Sequence, residues 1–186
     1  MNREVEIKVS IKNSIDQAIE ILKQKGIELS LPKVQEDTVF CNYDGDYTDR
    51  HNQEGAMFFR IRKQDGGYIF TVKQPRLNSL DCIEHETKIE DPVAITKMLE
   101  LLGYHQVDIF IKKERRKAKM GEYEICLDNV FDLGVFVELE KMTDGKDSEK
   151  IQDELYEYVK TLGLSISDRI FEGYDILMWK KEKDLE

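Results

Sequence analysis

Arg3-Glu4-Val5-Glu6-Ile7-Lys8-Val9, at the start of the chain, alternates charge and hydrocarbon residue by residue. In an extended strand successive side chains point to opposite faces, so Glu4, Glu6 and Lys8 share one face and Val5, Ile7 and Val9 the other. Taken alone, this is a half-buried strand with a wet outer side. The pattern recurs, however. Glu138 and Glu140 alternate with Val137 and Leu139, and Arg60 and Arg62 with Phe59 and Ile61. Glu84 and Glu86 do the same in 83–89, and Glu122, Glu124 and Asp128 have the parity opposite to Tyr123, Ile125 and Leu127. Lys73 is opposite in parity to Val72. So many charged faces joined in one sheet need a common place to go. The apolar stripes of helices must cover the sheet's apolar side, which leaves the charged side uncovered. That allows an open sheet with one wet face, or a closed barrel with a charged bore and helices outside. Closure also removes exposed edges, which favours the barrel.

Between these strands the chain reads as mostly hairpin-connected. Ser14 caps a helix carrying Ile15, Ala18, Ile19 and Leu22, with Gly26 as its stop. Segment 36–43 is a weak strand, and 42–49 a polar loop. Residues 56–63 and 68–75 flank Gln64-Asp65-Gly66-Gly67, a hairpin signal. Residues 92–103 form a second helix with Pro92 near its start and Gly103 at its end. Three strands lie between about 106 and 140, then a helix over 147–162 with Ile151, Leu155, Tyr158, Val159 and Leu162 on one stripe. The stretch 170–179 fits a short helix or a strand. The expected fold is α+β: an eight-stranded antiparallel closed barrel with three or four helices packed outside.

The chain of 186 residues reads as a single domain over 1–186. Its net charge of −10 argues against nucleic acid as a partner, because that affinity rests on basic surface. No apolar run approaches the roughly 20 residues that cross a bilayer, and no signal-peptide pattern opens the chain. Cys41, Cys82 and Cys126 are widely spaced and odd in number, fitting neither a zinc site nor a disulfide framework. A reducing cytoplasm is the expected location. A homodimer is left open. In a bore, the acidic first, seventh and eighth strands would meet the basic third, fourth and sixth. Carboxylates for a hard cation beside Arg and Lys for an anion suit a metal-bound polyphosphate.

Glu4-x-Glu6-x-Lys8 resembles the E-x-E-x-K signature of the CYTH superfamily, the triphosphate tunnel metalloenzymes. The resemblance extends along roughly residues 3–178. Residues 58–63 (FFRIRK) resemble the family's R-x-R strand, 71–75 (TVKQP) its lysine strand and 83–87 (IEHET) its acidic strand. Residues 111–116 (IKKERR) resemble its K-x-R strand, and 127–140 (LDNVFDLGVFVELE) its closing segment. The resemblance implies an eight-stranded tunnel and a divalent cofactor, Mg²⁺ or Mn²⁺, held by Glu4, Glu6, Asp128, Glu138 and Glu140. It implies triphosphate binding by Lys8, Arg60, Arg62, Lys73, Lys113 and Arg115, with Lys8, Glu6 and Glu138 as the catalytic candidates. Parity alone leaves Lys112 and Arg116 as alternatives to Lys113 and Arg115. A tyrosine that many relatives carry in a D-x-Y-x-D strand is here Val39.

The segments at 102–105, 112–115, 121–128 and 132–144 look closest to the class IV adenylyl cyclase branch, which converts ATP to cyclic AMP and pyrophosphate. A triphosphatase acting on inorganic, nucleoside or thiamine triphosphate is the alternative. A non-catalytic polyphosphate- or nucleotide-binding module is the third reading, and the full set of acidic candidates argues against it.

Overall fold

The structure is a computed structural model and describes residues 3–42, 55–144 and 146–183. Its elements are β1 (Arg3–Ser10), α1 (Ile15–Gln24), β2 (Lys33–Cys41), β3 (Phe58–Gln64), β4 (Gly67–Pro75) and β5 (Asp81–Ile89). Then follow α2 (Pro92–Leu101), β6 (His105–Met120), β7 (Tyr123–Val130), β8 (Gly134–Thr143), α3 (Ser148–Lys160) and α4 (Tyr174–Glu182). The strands close in the order β1-β5-β4-β3-β2-β6-β7-β8, with every pairing antiparallel. The expected eight-stranded barrel is what the chain forms. Most of the polar loop expected over 42–49 lies outside the described residues.

Local sequence explains the joints. Asp65 and Gly66 both take positive φ, 51° and 75°, in the two-residue loop between β3 and β4. That left-handed pair matches the twist of flanking strands, and Asp-Gly tolerates it. The α1 N-terminus is closed reciprocally: the Gln17 backbone N–H donates to Ser14 Oγ (3.3 Å) and the Ser14 N–H to Gln17 Oε1 (3.0 Å).

Outward-facing Ile7, Val9, Ile125, Leu127, Val137 and Leu139 pack against Ala18 and Leu22 of α1 and Leu155 and Val159 of α3. Each such burial contributes about 1.5–3 kcal/mol from hydrocarbon leaving water. A smaller cluster joins Phe40 and Ile61 to Leu99 of α2. The fourth helix is placed differently. Tyr174, Ile176 and Met178 pack against Val39, Phe58, Ile111, Val130 and Phe136, residues that share parity with the charged positions of their strands and face inward. Helix α4 therefore seats on one end of the barrel. Among the described residues no helix is long and apolar enough to cross a membrane.

Candidate functional site

The inward faces enclose a cavity of about 320 Å³. Glu4, Glu6, Lys8, Arg60, Arg62, Lys73, Lys113, Arg115, Glu138 and Glu140 all line it, as do Glu84 and Glu86. The alternation of strand side chains does this: one parity on each strand points in, and closure brings residues from opposite ends of the sequence together. Parity also separates Lys113 and Arg115 from their neighbours. Lys113 and Arg115 are buried, whereas Lys112 pairs with Glu36 and Arg116 donates to the Ser30 carbonyl on the outside. Because β7, β8 and β1 are adjacent in the closed sheet, Glu4, Glu6, Glu138 and Glu140 fall on one arc.

The cations are held by a chain of ion pairs. Arg62 grips Asp37 with two bonds of 2.7 Å. Arg60 Nη2 donates to Thr71 Oγ1 (3.1 Å) and Glu86 Oε1 (2.8 Å), while Lys73 Nζ lies 2.5 Å from Glu84 and 3.9 Å from Glu4. Among the described residues the buried Arg60 Nε has no hydrogen-bond partner. Arg115 donates to Asp128 (2.7 and 2.5 Å) and to Glu138. Lys113 Nζ reaches Asp128 at 3.2 Å. Lys8 Nζ contacts Glu138 at 3.2 Å and donates to the Glu172 carbonyl at 2.9 Å. So many cations in one enclosed space would repel one another, and these carboxylates hold them in place.

The acids fall into two electrostatic groups. Burial alone would raise Glu138, but Arg115 and Lys8 outweigh it and hold it well below the usual carboxylate range. Asp128, wholly buried, is lowered in the same way by Arg115 and Lys113 against its own desolvation. Lys73 and Arg60 overcome burial to bring Glu84 down to about 2. In the other group, burial pushes Glu4 up to about 7, with Lys73 opposing and Glu140 adding to the rise. Burial and then Glu138 raise Glu6 well above its ordinary value. Glu4, Glu6 and Glu140 each offer a carboxylate oxygen, all within 4.8 Å of one another. Three hard donors so close together, with Glu4 and Glu6 raised by burial, fit a divalent cation, whose charge would relieve them. Glu124, Cys126 and Glu140 form a second such group, in which the Cys126 thiol donates to Glu140 at 3.3 Å.

Asp128 is the sequence candidate placed apart from the cavity. It has no exposed surface, and its oxygens are taken by Arg115, Lys113 and the Tyr174 hydroxyl (2.9 Å). Sequence reasoning assigned no role to Asp37, Lys117 or Tyr174, all of which line the cavity. Asp37 shares inward parity with Gln35, Val39 and Cys41, so its strand shows no charged alternation that would mark it. Tyr174 comes from α4, whose approach to the bore no periodicity announces. Val39 lines the cavity within the cluster that contains Tyr174.

A model of the CYTH domain matches residues 2–174. A Methanocaldococcus jannaschii protein named as a candidate adenylate cyclase is 34% identical over 174 residues, covering 92% of this chain and 95% of its own. The structure of the PH1819 protein from Pyrococcus horikoshii superposes with a TM-score of 0.75 at 26% identity, covering 97% of this chain and 99% of that one. A Vibrio parahaemolyticus structure, also named as a candidate adenylate cyclase, gives 0.70 at 26% identity over 92% of this chain and 94% of that one.

Proposed function

The chain belongs to the CYTH domain family, and on that premise we propose that it is a metal-dependent enzyme converting ATP to cyclic AMP and pyrophosphate. The observation that carries the reading is the meeting of a carboxylate cluster and a set of buried cations in one cavity. Three carboxylates that fit a cation (Glu4, Glu6 and Glu140) line the same cavity as Arg60, Arg62, Lys73, Lys113 and Arg115, with Lys73 3.9 Å from Glu4 and Arg115 3.6 Å from Glu140. The names of the Methanocaldococcus and Vibrio proteins support the nucleotide reading.

Glu4, Glu6 and Glu140 would hold Mg²⁺ or Mn²⁺, whose chemistry is charge neutralisation and polarisation of phosphoryl oxygens. Arg60 and Lys73 grip the triphosphate from one side; Arg60 Nε, without a partner among the described residues, is a donor ready for a phosphate oxygen. Lys113 and Arg115 neutralise charge from the other side. Burial and then Arg115 bring Lys113 down to about 8, so it is still protonated, and attractive to phosphate, at neutral pH. Glu138 keeps Lys8 and Arg115 aimed, and Asp128 does so for Arg115 and Lys113 from beneath. In the reaction the ribose 3′-oxygen attacks the α-phosphorus in line and pyrophosphate leaves, with the chain supplying position and electrostatic stabilisation.

Hydrolysis of an inorganic, nucleoside or thiamine triphosphate is the second reading. The residues favouring it are those of the lining itself, most of whose polar groups are charged side chains suited to phosphate and metal. Incubation with Mn²⁺ or Mg²⁺ and a panel of triphosphates, followed by product identification, decides. Cyclic AMP and pyrophosphate from ATP are expected. Inorganic phosphate from tripolyphosphate with no cyclic nucleotide from ATP would replace the cyclase with the hydrolase.

A further inference from the structure

We propose that Gln152, on the outside of the barrel, is a positioning residue for the metal centre: with Asn78 it takes the place of a ladder bond at Glu6 and so sets where the Glu6 carboxylate stands. The inference rests on the metal-dependent reading above and adds a residue that acts on the site through the backbone. Gln152 itself does not line the cavity.

Helix α3 buries Ser148, Gln152, Leu155 and Val159, the one-sided spacing of a helix packed on a sheet. Hydrocarbon is expected at such a position, and a buried amide needs hydrogen-bond partners to offset its lost water. Gln152, 3% exposed, finds them where β1 parts from β5. The ladder between those strands pairs Glu4 with Cys82 and Val5 with Asp81, so its next rung would join Glu6 to Leu80. In a hydrogen-bonded antiparallel rung each residue gives its N–H to the other's carbonyl. Half of this rung forms: the Glu6 N–H donates to the Leu80 carbonyl at 2.9 Å. Side chains replace the other half. The Leu80 N–H donates to Asn78 Oδ1 (2.9 Å), and the Glu6 carbonyl accepts from Gln152 Nε2 (3.1 Å). The two amides close the bridge, Asn78 Nδ2 donating to Gln152 Oε1 at 2.9 Å and Gln152 Nε2 to Asn78 Oδ1 at 3.2 Å.

Both ends of this bridge are anchored. Asn78 belongs to a turn in which the Arg76 N–H donates to the Asp81 carbonyl (2.8 Å) and the Leu77 N–H to Asp81 Oδ2 (3.2 Å). Arg3 Nε donates to the same carboxylate at 2.9 Å, and Asp81 has no exposed surface. Gln152 is held by its helix, which Leu155 and Val159 seat in the core. Glu6 therefore takes its position from the β8 ladder on one side and from α3 on the other. A ligating group works only when held within about 0.5 Å of its place. Oxygens of Glu4, Glu6 and Glu140 lie within 4.8 Å of one another, and a β1 strand freed from the bridge shifts Glu6 against the other two.

The test is Mn²⁺ binding to the folded protein, read from the electron paramagnetic resonance signal of free Mn²⁺. Gln152→Met keeps the length of the side chain and removes its amide. It should weaken Mn²⁺ about tenfold, as loss of a group that supports a ligand does. Asn78→Ala should do the same, and the double variant should bind no more weakly than either single one, because the two amides act as one bridge. Val159→Ala removes packing from the same face of α3; it should lower stability yet leave Mn²⁺ affinity within about twofold of wild type. Unchanged affinity in Gln152→Met, losses that add in the double variant, or an equal loss in Val159→Ala each overturn the positioning role and leave the metal-dependent reading standing. No Mn²⁺ binding by the wild-type protein overturns both. If Gln152→Met does not fold, Asn78→Ala set against Val159→Ala still decides.

Discussion

Glu6 and Glu138 line the same cavity, yet their environments drive their protons in opposite directions. Glu138 has Arg115 and Lys8 against it, whereas Glu6 has burial and Glu138 itself. On the proposed function the difference gives them different work: Glu138 anchors Lys8 and Arg115, and Glu6 is left for a metal ion. Alternation in the sequence found both because parity fixes which face a side chain occupies. It could not sort them, because depth and the identity of the cross-barrel neighbour appear only on closure. Asp128 shows the same limit, having the right parity but no exposed surface. Asp128→Asn should cost about 3–5 kcal/mol in denaturant unfolding, since it leaves buried Arg115 and Lys113 short of countercharge. Glu4→Gln should do the reverse in metal-free protein. A carboxyl raised to about 7 in the fold costs nothing below its ordinary value of 4.5, and its cost grows as pH climbs through about 7. Its removal should therefore stabilise the metal-free protein by about 1–3 kcal/mol at pH 8 and have little effect at pH 4. A variant equally or less stable than wild type at pH 8 would show that Lys73 already compensates Glu4 in full.

Elements whose local chemistry agrees with their tertiary role were legible, and those ruled by tertiary contact were not. The β3–β4 hairpin announces itself through Asp65-Gly66 between alternating runs, and α1 through Ser14 and its apolar stripe. Gly66→Ala, forcing a Cβ onto φ 75°, should cost about 1 kcal/mol, measured as a shift in denaturation midpoint with unchanged slope. Helix α4 lacks such signals. Its N-cap is Gly173, without a side-chain hydrogen bond, and successive Tyr174, Asp175 and Ile176 are all buried, so no one-sided stripe exists to read. The stretch looked equally like a strand because burial on several sides erases the period that separates the two. The second strand was placed at 36–43 and runs Lys33–Cys41. Its first residues carry no apolar alternation and are held by pairing with β6, Lys33 opposite Arg115 and Gln35 opposite Lys113.

At the scale of the whole molecule the barrel divides its tasks between two surfaces. The outer one, clothed by α1, α2 and α3, supplies hydrocarbon burial; the inner one collects charge that folding alone would reject. This division makes the metal a stabiliser of the fold as well as an expected part of the site. A ligand that binds only the folded state stabilises it by RT ln(1 + [L]/Kd), about 2.7 kcal/mol at a hundredfold excess over Kd. Binding requires Glu4 as a carboxylate, so protons compete for it. With Glu4 at about 7, apparent affinity should fall about tenfold for each pH unit below that value and level off above it. The raised Glu6 steepens the fall if it too must ionise. Added Mn²⁺ should therefore raise the melting temperature clearly at pH 8 and little at pH 6, and excess EDTA should erase the difference. In Glu4→Gln the metal-dependent shift should shrink at both pH values, and the pH dependence that remains belongs to Glu6. If Mn²⁺ raises the melting temperature equally at pH 6 and pH 8 in the wild-type protein, the cation is not held by the Glu4, Glu6 and Glu140 carboxylates, and the division between an anchoring Glu138 and a waiting Glu6 falls with it.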